Sequence, residues 1–256
     1  MNNAGSNTEV GGWGVGGRGF GLKGAVVSLA ILMAVPMAET RGLAGDQIER
    51  DRAPGLKVTV RVYTFAQVSA GDLASAERVA SELFEKTGVT LSWVTCAQTT
   101  PRARENSYCQ SPNAPTEIFL RVLPDFLEAR YVPKSAMGYA VPIPPPDRGY
   151  IAGIALERAQ KQLLYGRTLT LGQLLGLGMA HEIGHLLLGT NSHSPSGLMC
   201  AHWGTMELRL AARGQLNFSA AQAETIRADV QARSRDQASR QQAGMPQALP
   251  SAPAAR

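Results

Sequence analysis

The sequence predicts a mixed α/β (α+β) domain, and three observations carry that expectation. Residues 56–94 read as strand, helix, strand; three further short β-type runs follow between 116 and 156; the chain then turns helical, with a long apolar run at 171–188 and a last helical segment at 220–233. Strands and helices in that order close into layers around one sheet.

Each element has a local reason. In the first strand, 56–65, Leu56, Val58, Val60 and Val62 alternate with polar residues, the period of a half-buried strand. Leu73, Ala76, Val79, Ala80, Leu83 and Phe84 are spaced for one face of a helix over 70–86, and Gly88 stops it. Strands are expected at 89–94, 116–123 and 138–143, the last ended by Pro144, Pro145 and Pro146 in a rigid loop. A fifth strand at 149–156 is short and glycine-containing, so it is expected at the sheet edge, where its main chain can hold an extended peptide by strand addition. Thr170 with Gln173, and Ser219 with Gln222, read as capping boxes opening the two late helices. Gly172, Gly176 and Gly178 disfavour helix, so their presence in the first of these implies close packing against the sheet. From 236 onward Ala, Gln, Pro and Ser dominate and a disordered tail, 236–256, is expected. No internal repeat is visible.

The 256 residues suffice for one sizeable domain, expected over 56–235, and the formal charge of +5 is mild. Part of the basic excess sits at Arg233, Arg235, Arg240 and Arg256. No basic stripe interleaves with aromatics, so a nucleic-acid partner has no support, and a monomer is expected. Arg18 and Lys23 precede an apolar run at 24–38 that suits a secretory segment and is short for a membrane span. Residues 1–45 are therefore read as a targeting segment and 46–55 as a linker, with cleavage at or soon after Ala38. The expected location is secreted or periplasmic; an uncleaved, membrane-anchoring segment is the alternative. Cys96 and Cys109 bracket a polar loop and are expected to form a disulfide, consistent with an oxidising compartment. Cys200 is then unpaired.

The chemistry concentrates in His181-Glu182-Ile183-Gly184-His185-Leu186-Leu187-Leu188-Gly189-Thr190-Asn191-Ser192-His193. On a helix His181 and His185 project from one face and can chelate Zn²⁺. Glu182, beside the first histidine, is placed to act as general base on a water at the metal. The surrounding run is apolar, where unpartnered imidazoles and a carboxylate are costly; a metal supplies the partner. Gly189 ends the helix and His193 returns as candidate third ligand.

Past His193 the chain reads Ser194-Pro195-Ser196-Gly197-Leu198-Met199-Cys200. A tight turn carrying a methionine shortly after a third ligand resembles the Met-turn of metzincin zinc proteases, closest in style to the matrixins. The motif likeness spans about residues 171–203. It implies a twisted, mostly parallel sheet packed on two helices, an active-site helix followed by the Met-turn and a C-terminal helix, zinc held by His181, His185 and His193, Glu182 as base, Met199 as hydrophobic floor, and a peptide or protein substrate for a zinc endopeptidase. The pattern departs from the family in spacing. His185 to Gly189 and Gly189 to His193 are both four, against three in the family, a two-residue insertion that leaves Asn191 at the uninserted third-ligand position. His202 is the other histidine within reach. Residue 201 is Ala, where some metzincins carry a tyrosine, and residues 39–55 are too few for an inhibitory pro-domain. Two readings remain beside this one: a thermolysin-like zinc hydrolase with Glu207 or Glu224 as third ligand, and a non-catalytic zinc-stabilised binding domain or an enzyme of a non-peptide bond.

Overall fold

The computed structural model describes residues 55–96, 109, 114–125, 136–143, 147–164 and 168–244. The targeting segment, the triple proline and the last residues of the chain lie outside them. The elements are β1 (Leu56–Thr64), α1 (Ala70–Glu85), β2 (Val89–Thr95), β3 (Glu117–Leu123), β4 (Gly138–Val141), β5 (Ile151–Ala155), α2 (Leu156–Leu163), α3 (Leu171–Leu188), α4 (Thr205–Ala212) and α5 (Ala220–Gln242). The five strands form one sheet in the order β2-β1-β3-β5-β4. β1 is parallel to β2 and β3, β3 is parallel to β5, and β4 alone is antiparallel. The α/β expectation therefore holds, with a mostly parallel sheet and five helices among the described residues.

The alternation read in β1 sets the core. Val58, Val60 and Val62 are fully buried, in register with Leu91 of β2 and with Ile118 and Leu120 of β3. On the opposite face Arg61 is buried too. It sits 5.2 Å from the Phe119 ring centroid and donates to Glu117 Oε2 at 2.6 Å, so the charge taken out of water keeps a partner.

β5 corrects the edge expectation. It lies between β3 and β4, and the edge strand on that side is β4, which stops at Val141, just before Pro142. The glycine that suggested an edge has a packing role: a Cβ at Gly153 would lie 2.3 Å from Tyr139 Cε1, so the cross-strand tyrosine ring takes that space. Pairing β5 on both sides also removes it as a platform for strand addition.

The glycines of α3 are corrected in part. A Cβ at Gly172 or Gly176 would come within 2.7 Å of Asp72 O or 2.5 Å of Ala76 O, so these two glycines bring α3 into backbone contact with helix α1 rather than the sheet. Gly178 faces Met137 and Ile154 of the sheet side, as expected. Both capping boxes form, at Thr170–Gln173 and Ser219–Gln222. α2 and α4 are elements the sequence reading did not anticipate, each short and without a side-chain cap of its own N-terminal residue.

α5 runs to Gln242, past the expected end at 233 and into the expected tail. Its Ala, Gln and Arg residues are good helix formers, and Asp236 and Gln237 are tied to Arg148 and Thr116. Arg233 on this helix is 1 % exposed. Its guanidinium binds Asp229 and donates to the carbonyls of Pro115, Gly149 and Leu186, joining the approaches to β3 and β5 to the last turn of α3. Leu186 O belongs to the helix end that has no intrahelical donor.

Cys96 and Cys109 form the expected disulfide, with Cα atoms 5.7 Å apart, and Cys200 is free. Among the described residues no helix is long and apolar enough to cross a membrane.

Candidate metal centre

α3 is the element that positions the site. Its residues from 174 to 184 are all buried, so His181 and Glu182 enter an apolar interior from the helix itself. Gly189 ends the helix with φ +83°, and Asn191 follows at φ +57°. These two left-handed residues turn the chain twice, which is how the longer spacing still returns His193 to the helix. The three imidazoles meet: one nitrogen from each of His181, His185 and His193 lies within 4.8 Å of the others. Among the described residues this is the one group of His, Cys, Asp or Glu able to hold a metal ion. Glu207 instead accepts from Gly204 N at the start of α4, and Asn191 and His202 line the cleft outside the cluster.

The next shell orients these rings. His181 Nδ1 lies 2.8 Å from Leu198 O. A carbonyl only accepts, so Nδ1 carries the proton and Nε2 presents its lone pair. That Nε2 is 3.0 Å from His185 Nε2, and His185 Nδ1 is 2.7 Å from Ser192 Oγ. Tetrahedral zinc with bonds of about 2.0–2.1 Å separates its nitrogens by about 3.4 Å. The donor set, its lone-pair orientation and its spacing fit such an ion. Sequence reasoning missed Ser192 and Leu198 O; the hydroxyl lay within the motif, but nothing in the pattern paired it with His185.

The turn after His193 is closed by Ser194 N donating to Met199 O and Cys200 N to Gly197 O. Met199 is fully buried. A Cβ at Gly184 would be 2.8 Å from Met199 Sδ, so the glycine between the two helix histidines admits the methionine beneath them. Trp203 donates to the same Leu198 carbonyl at 3.2 Å and stands edge-on to His181.

Glu182 is 7 % exposed and packs on β4: a Cβ at Gly138 would lie 2.6 Å from Glu182 Oε1. Burial pushes its carboxyl up to about 8. Burial also holds His181 down to about 4, and burial with the neighbouring imidazoles holds His185 down to about 3. All of these residues line one cleft of about 760 Å³, bounded by β4, α2, α3 and the segment 200–203.

The fold and site together define an α/β domain with a three-histidine centre in an open cleft. No family model matches the chain, and no curated protein matches it. Among solved structures it is similar to archaemetzincin from Methanopyrus kandleri, at 15 % identity and a TM-score of 0.41, over 70 % of this chain and 99 % of that one.

Two predictions follow from the burial and geometry. In metal-free protein the depressed histidines stabilise the fold above about pH 6.5, and this is lost as pH falls toward 4 and 3. The raised carboxyl acts oppositely, costing stability as pH rises from about 4.5 to 8. Glu182→Gln should therefore raise the metal-free melting temperature at pH 8.5 by at least about 3 °C, with little gain at pH 4. Equal melting curves at pH 8.5 would contradict a buried, raised carboxyl. In zinc titrations His193→Ala should lose binding, Ser192→Ala should weaken it about 10-fold, and Asn191→Ala and Glu207→Ala should keep one zinc. Zinc lost in Glu207→Ala and kept in His193→Ala would overturn this ligand set.

Proposed function

We propose that this chain is a zinc-dependent metallopeptidase of the metzincin type. The observation that carries the reading is the convergence of three imidazoles and one buried carboxyl group beside the edge strand β4. His181, His185 and His193 would hold the metal. When bound, zinc supplies Lewis acidity toward a peptide carbonyl. A purely structural zinc site is closed by four protein ligands, whereas this cluster has three among the described residues and opens on a cleft.

The chain's own groups supply the rest. Among the described residues two carboxyl groups line the cleft, and Asp125 is held by Arg158 and Lys161. Glu182, in its ionised form, is left as the group able to take a proton from an attacking water on its Oε atoms and return it to the departing amine. Substrate binding moves from β5 to β4. Met137 O accepts from Ala155 N, so ladder alternation points the N–H and C=O of Gly138 and Ala140 away from β5, where an extended peptide can pair with them. The matrixin-like style of the Met199 turn belongs to the same reading, supported by the short closed loop from Ser194 to Cys200. Export is part of it too, resting on the apolar run at 24–38 and on the Cys96–Cys109 bridge.

Glu182→Gln should retain zinc yet lose about 10²- to 10⁴-fold in peptide cleavage, because an amide cannot accept the proton. Zinc content and turnover measured on one preparation test this, and near-normal turnover would remove Glu182 from the role. Mass spectrometry of protein recovered from exporting cells should find a start near residues 39–46 and one disulfide; an intact Met1 with three free thiols refutes export.

A further inference from the structure

The cleft has a second end that the proposed hydrolysis leaves unused. α2 turns Arg158, Lys161 and Gln162 toward it, positions three and four apart on one helix face. Arg158 is nearly buried, its side chain 9 % exposed; it binds Asp125 and donates Nη1 to Ala136 O at 2.8 Å. Lys161 Nζ is 3.3 Å from the other Asp125 oxygen and its side chain is 62 % exposed. Among the described residues lining this end, two are cations and one is an anion, a net charge of +1. Glu157 approaches Lys161 only at 4.0 Å, is itself 53 % exposed, and does not line the cleft. Among the described residues these two carboxylates are the partners of a mostly exposed ammonium with three donors.

This end is close to the proposed base. Arg158 holds the carbonyl of Ala136, and two residues along, Gly138 backs the Glu182 carboxylate. The chain bends at Met137, so these two residues span at most about 7 Å. A substrate residue next to the bond held at Glu182 therefore lies within side-chain reach of Lys161.

We propose that Lys161, steadied by the Arg158–Asp125 pair, forms a carboxylate-accepting subsite, so that the cleft selects peptides with a carboxylate beside the cleaved bond. This rests on the peptidase reading. The carboxylate comes from an Asp or Glu side chain or from the substrate's own C-terminus.

The test uses full-length zinc-loaded protein and peptide sets that differ at one position, Glu, Gln or Lys, each made as C-terminal acid and amide. The Glu peptide should exceed the Gln peptide about 2- to 5-fold in kcat/KM when the residue flanks the cleaved bond, the advantage shrinking at high salt. Lys161→Glu should move the preference toward the Lys peptide. An advantage confined to the acid over the amide assigns the subsite to the chain terminus. Equal Glu and Gln rates with no acid-over-amide advantage, or a preference unchanged by Lys161→Glu, overturn the proposal. Binding of the same peptides to zinc-loaded Glu182→Gln separates the two readings. If nothing is cleaved but the carboxylate preference in binding persists and is lost in Lys161→Glu, the subsite stands and the peptidase reading falls. If peptides are cleaved with no such preference, the reverse holds.

Discussion

The burial of α3 is the constraint on which the rest of the structure depends. A helix with no solvent face from 174 to 184 has to be approached closely on several sides. Gly172 and Gly176 bring α1 to its backbone, Gly178 admits Met137 and Ile154, and Gly184 admits Met199 and Phe218. Each glycine costs about 1 kcal/mol against alanine in helix propensity. The return is dense packing, and a rigid seat for two imidazoles whose positions the helix geometry dictates.

Polar groups inside such a helix need partners from elsewhere in the chain. The Leu198 carbonyl serves two, the His181 ring and the Trp203 indole. The methionine turn thus does more than fill space beneath the helix: its backbone selects which nitrogen of His181 faces the cluster. Desolvation leads the shift at His181, Glu182 and His185 alike; at Glu182 it acts alone, whereas each histidine is also shifted by a neighbouring imidazole.

Local signals were legible in the sequence and pairing was not. The bounds of α3, both capping boxes, the disulfide and the gathering of His181, His185 and His193 follow from short-range patterns. Strand order does not, because the choice of β3 and β4 as neighbours of β5 is made by contacts distant in the chain. The same limit explains Gly153, whose small size reports a tyrosine on the next strand rather than an exposed edge. The Ala- and Gln-rich stretch after 233 looks the same as tail or as helix until Arg148 and Thr116 are seen to hold it. The wide spacing before His193 becomes intelligible through the two left-handed turns at Gly189 and Asn191.

Arg233 links the order of synthesis to the maturity of the site. The donor that satisfies the end of α3 is supplied 47 positions after Leu186. A nascent or truncated chain that ends before α5 can carry both helix histidines and the methionine turn. It still leaves the Leu186, Gly149 and Pro115 carbonyls without the arginine they share. The firmness of the ligand helix therefore depends on a part of the chain that is made after every residue of the three-histidine centre.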